Sequence, residues 1–101
     1  MRAKLNDTLT AAVDLALTGD WQGAHLVAQD HEGDELANWL HAVAHRMEGD
    51  LGNARYWYRR AHRSLPHGDT AAAEIAALKE TLKRDAPTKP ASERGPRKGT
   101  Q

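Results

Sequence analysis

Two histidines, His41 and His45, stand four residues apart in a segment patterned as a helix. That spacing puts both imidazoles on one face, near enough to share a metal ion. Asn38 and Glu48 fall on the same side, and His31 with Glu32 just upstream offers further ligands. The set His41, His45, His31 and Glu48 is therefore a candidate site for zinc or another divalent metal. It is not the His-Glu-x-x-His arrangement of metalloproteases, because residue 42 is Ala and no glutamate lies between the histidines. A helical wheel sets the pair opposite the apolar stripe Leu36, Leu40, Val43 and Met47, which would leave both rings in water.

A second constellation is the run Arg55-Tyr56-Trp57-Tyr58-Arg59-Arg60-Ala61-His62-Arg63. Read as one helix, it turns Trp57 and Tyr58 inward, while Arg55, Arg59 and Arg63 form an i, i+4, i+8 line beside Tyr56. Guanidinium groups flanked by an aromatic suit carboxylate or phosphate partners. The alternative is pairing within the fold, Arg55 or Arg59 with Glu35 or Glu48. Acid–base chemistry from His31, Glu32 and His45 finds no nucleophile to serve: there is no cysteine, and Ser64 and Ser92 sit at a helix end and in the tail. No catalytic constellation is present.

The composition bounds these options. A chain of 101 residues holds one domain. It has no Phe and two Met, and its aromatics are Trp21, Trp39, Tyr56, Trp57 and Tyr58, so any core must be thin and lined with alanine. Residues 1–50 carry three Lys/Arg against nine Asp/Glu, and residues 51–101 carry eleven against five, opposite net charges that cancel. A chain of zero net charge is a poor candidate for isolated nucleic-acid binding, but the asymmetry favours self-association or an acidic partner. Residues Met1 to Lys4 are basic, yet Asp7 and Asp14 break the apolar stretch that follows, so neither a signal peptide nor a membrane span is expected, and the cytoplasm is the default location.

Five helices are expected to carry these residues. The first covers about residues 3–18 and is ended by Gly19. Asp20 then caps a short helix from Trp21 to Gln29, and Asp34 a third from Glu35 to Glu48. Gly49 stops that helix and Asp50 caps a fourth, Leu51 to Leu65. After Pro66 and Gly68, Asp69 caps the fifth, which runs to about Arg84. Residues 85–101, rich in Pro, Lys, Arg, Ser, Thr and Gly, form a basic tail too poor in apolar surface to order itself. Hairpins thus span 3–30 and 34–65, with an extra helix at 70–84.

Gly19-Asp20 recurs thirty residues on as Gly49-Asp50, and Ala24 answers to Ala54. Over residues 34–67, Gly49, Ala54, Tyr58, Ala61 and Pro66 stand where a tetratricopeptide repeat places its turn glycine, packing alanines, aromatic and final proline. The segment resembles that family, and the run Trp39–Ala61 also looks like parts of uncharacterised bacterial proteins. Asn38, His41 and His45 depart from the pattern by occupying positions the family fills with large apolar residues, and in that register the two histidines point into packing. The resemblance implies a binding scaffold: stacked antiparallel helical hairpins, or otherwise a small all-α bundle. The function expected from it is a protein–protein interaction module, as a homodimer, with Arg55, Tyr56, Arg59, Arg63, Trp21 and Trp39 as contact residues. The alternative is the metal-binding protein built on the histidine pair.

Overall fold

A computed structural model describes residues 2–84, and all its regular structure is helical: α1 (Arg2–Leu17), α2 (Trp21–Gln29), α3 (Glu35–Glu48), α4 (Leu51–Arg60) and α5 (Ala71–Arg84). The basic tail expected from residue 85 onward lies outside the described residues. None of the helices is long and apolar enough to cross a membrane.

The helix starts are set locally by aspartate. The side chains of Asp20, Asp34 and Asp50 accept from the backbone N–H of Gly23, Ala37 and Asn53, and so satisfy donors that the helix itself leaves free. At the fifth helix Thr70, not Asp69, does this work: its hydroxyl accepts from Ala73 N–H at 3.0 Å. Gly49 closes α3 at φ 92°, a left-handed conformation that a Cβ would strain.

Helix α3 is the centre of the molecule, packed against each of the other four. Its nine residues from Leu36 to Ala44 are all buried, so the helix has no solvent face over two turns. α2 and α4 lie against α3 without touching one another, while α5 packs on both α1 and α3. Alanines fill the close approaches, with Ala24, Ala28, Ala37, Ala42 and Ala54 fully buried, and Leu9, Leu40, Tyr58, Ile75 and Leu78 supply the bulk. The thin alanine-lined core read from composition is the core observed.

The fourth helix is shorter than its sequence pattern. It ends at Arg60, and His62 adopts a left-handed φ of 60°, rare for a residue with a Cβ. The backbone N–H of Arg63 turns back to the Tyr58 carbonyl at 2.8 Å. The i, i+4, i+8 line therefore breaks after Arg59, because tertiary contacts at His62 and Arg63 outweigh helix propensity. His62 pairs with Glu35, and the Arg63 guanidinium lies 3.5 Å from the centroid of the Trp39 ring.

Candidate metal centre

Three histidines meet in the groove of α3. His41 and His45 come from α3, as the four-residue spacing requires, and the third is His25 of α2. Their ligating nitrogens all lie within 4.8 Å of one another. His25 stands edge-on to His41 and His45, with ring centroids at 4.5 and 4.8 Å, and the two α3 rings stack at 5.2 Å. The far face of His41 lies on Trp57 of α4, with centroids 3.8 Å apart and planes within 12°. His41 thus touches a ring from α2 and a ring from α4.

The pair does not face water. His41 is 3% exposed and the side chain of His45 12% exposed. The helical wheel misplaced them because α3 is covered on all sides. Of the remaining expected ligands, Glu48 has its carboxylate 3.1 Å from Nδ1 of His45 and forms a second convergent group with that histidine and Asp50. That contact leaves Nε2 of His45 as the nitrogen free to bind, with the carboxylate fixing its ring. His31 belongs to neither convergent group of ligand atoms among the described residues. The amide nitrogen of Asn38 donates to the Glu32 carbonyl at 2.9 Å.

Electrostatics disfavour charge on two of the three rings, His25 and His41. Burial, then the neighbouring His25, His45 and Arg60, hold His41 down at about 3, so its ring is neutral at physiological pH. His25 is lowered by burial and by His45, with Glu48 acting in the opposite direction. Nδ1 of His41 is buried and has no hydrogen-bond partner, an unusual state for a polar atom in a packed interior. Neutral imidazoles with a free lone pair are metal ligands by chemistry. The zinc-type tetrahedron needs nitrogens about 3.3 Å apart, from metal–nitrogen bonds of ~2.0–2.1 Å. The observed ceiling of 4.8 Å means that the nitrogens must close by up to about 1.5 Å to hold a metal.

The residues expected to contact a partner do not form one surface. Trp39 is 4% exposed, and its indole donates to Glu74 at 2.8 Å; Trp21 is half-buried. Trp39 fills a core position, because the thin core has few other large side chains to use. Arg55, Tyr56 and Arg59 are exposed, and the expected pairing of Arg55 or Arg59 with Glu35 or Glu48 is absent among the described residues, since those carboxylates pair with His62 and His45.

A feature invisible to the sequence reading is the buried carboxylate of Glu74, 5% exposed, on α5. It accepts from Trp39 Nε1 at 2.8 Å, from the Tyr58 hydroxyl at 2.6 Å and from Arg46 at 2.6 Å. Three helices are tied through one side chain. Burial and Glu74 push the Tyr58 hydroxyl well above its usual range, so it stays a donor. The network is structural, for every carboxylate contact is satisfied from within.

Comparison with protein-family models, with curated proteins and with solved structures finds no match.

Proposed function

We propose that this protein binds a divalent transition-metal ion of the zinc type through His25, His41 and His45. The observation that carries the reading is the convergence of three imidazoles from two helices around a buried Nδ1 with no protein partner. Three histidine ligands leave a fourth position for water or an exogenous group, and Glu48 behind His45 supplies the carboxylate–histidine pairing that orients a ligand ring. The metal reading is preferred to an interaction module because Trp39 is buried and Arg63 is stacked on it.

The test is calorimetric titration of chelator-stripped protein with zinc. Stoichiometric binding is expected, and it disappears in His25→Ala and in the His41→Ala/His45→Ala double variant. Heat that survives in His25→Ala at unchanged affinity refutes the three-histidine site. Glu48→Gln weakens binding by about tenfold, the usual cost of removing an outer-shell carboxylate.

A further inference from the structure

Where α4 ends and the chain turns back, a cleft of about 310 Å³ opens between the helix and the loop after it. Arg55 and Arg59 line it from one helix face, and Arg63, Ser64 and His67 from the loop, with Tyr58 and Leu65 as the uncharged wall. No carboxylate lines the cleft, and none of these three arginines has a carboxylate partner among the described residues. Elsewhere Arg46 has Glu74, Lys79 has Asp14 and Lys83 has Glu80, while Arg60 lies over the rings of Tyr56 and Trp57.

The concentration of positive charge is built, not incidental. Arg55 and Arg59 are one turn apart, a like-charge spacing that opposes helix formation. Arg63 follows a left-handed residue, His62, lines the same cleft, and has its guanidinium carbon 3.5 Å from the centroid of the Trp39 ring. Three arginines lining one cleft that no carboxylate enters are a reason to look for an anion there. The adjacent cleft of about 460 Å³ shares Arg63 and Ser64 but contains Asp69 and Glu74, so the anion belongs on the Arg55 side.

We infer that this cleft binds a small phosphate monoester. Planar guanidinium forks match the oxygens of a phosphate dianion. The Ser64 hydroxyl adds a neutral donor, and the organic group of the ester lies against Tyr58 and Leu65. The hydroxyl of Tyr58 is already committed to Glu74, so that residue contributes packing and not charge. The site is independent of the histidine cluster and stands or falls separately from it.

The experiment is an amide ¹H–¹⁵N shift titration of the full chain with inorganic phosphate and with phenyl phosphate, in chelator so that no metal at the histidines recruits the anion. Saturable shifts confined to residues around 55–67 are expected, with phenyl phosphate the tighter probe. The dissociation constant rises about tenfold in Arg59→Gln and in Arg63→Gln, the loss of one charge-assisted fork, and is unchanged in Lys83→Gln. Arg59 is exposed and makes no ion pair, so its variant keeps the fold and its amide spectrum verifies that. Shifts that fail to saturate, spread over every cationic surface, or survive both arginine variants overturn the inference. Equal affinity for the two probes overturns the monoester assignment. Silence toward both probes with a response to an acidic peptide or an oligonucleotide assigns the arginines to a macromolecular partner instead, and likewise overturns it.

Discussion

The buried His41 ring makes the fold acid-sensitive in a calculable way. In the unfolded chain this histidine titrates at its ordinary value of 6.5, whereas in the fold it is held at about 3. Below the first value the unfolded state takes up a proton that the native state refuses. Stability is therefore full above about pH 6.5 and falls as the pH drops, until His41 protonates in the fold near 3. One proton corresponds to about 1.4 kcal/mol per pH unit, so lowering the pH from about 7 to about 5 removes roughly 2 kcal/mol through this residue alone. That is a large part of the ~5–15 kcal/mol typical of a whole domain. The groups facing the ring are His25 from α2, His45 from α3 and Arg60 from α4, and all three disfavour its charged form. The measurement is urea unfolding followed by tryptophan fluorescence in chelator across that range, on the wild type and on His41→Phe, which keeps a ring against Trp57 and carries no proton. The variant is expected to gain roughly 2 kcal/mol on the wild type between the two pH values. Two profiles that stay parallel refute the reasoning, because they would mean that His41 takes up its proton equally in both states.

Other perturbations probe the frame. Glu74→Ala leaves Arg46, the Trp39 indole and the Tyr58 hydroxyl without their shared acceptor and is expected to cost about 3–5 kcal/mol in urea unfolding; a loss under 1 kcal/mol would show the network to be slack. Gly49→Ala forces a Cβ into a left-handed turn and should cost about 1–2 kcal/mol, seen as a lower Tm. Asp34→Ala removes the acceptor for Ala37 N–H at the start of α3, with an expected loss of about 1 kcal/mol by the same assay.

What was legible in the sequence was local. Asp20, Asp34 and Asp50 cap their helices as read, and Gly19 and Gly49 take the left-handed turns, because each acts within three or four residues of itself. The end of α4 was not legible, since Ala61 to Leu65 has nothing in its composition to stop a helix; the stop comes from Glu35 and Trp39, more than twenty residues upstream. His25 was missed for the same reason. Its signal was present but faint: Trp21, Ala24, His25 and Ala28 share one side of α2 at helical spacing, which places the histidine on the face that packs. Glu74 gave no signal at all in an alanine-rich helix, as its three partners lie on α3 and α4.

The position of α5 has a consequence for how such a chain can change in length. In an open array of hairpins each unit touches only its neighbours, so copies are gained or lost at little cost. Here α5 rests on α1 and α3 together, and its Glu74 is the acceptor that α3 and α4 share. Another hairpin inserted after α4 would have to displace that helix and strand a partly buried arginine and a buried tyrosine and tryptophan. A single carboxylate thereby fixes how α3, α4 and α5 sit on one another.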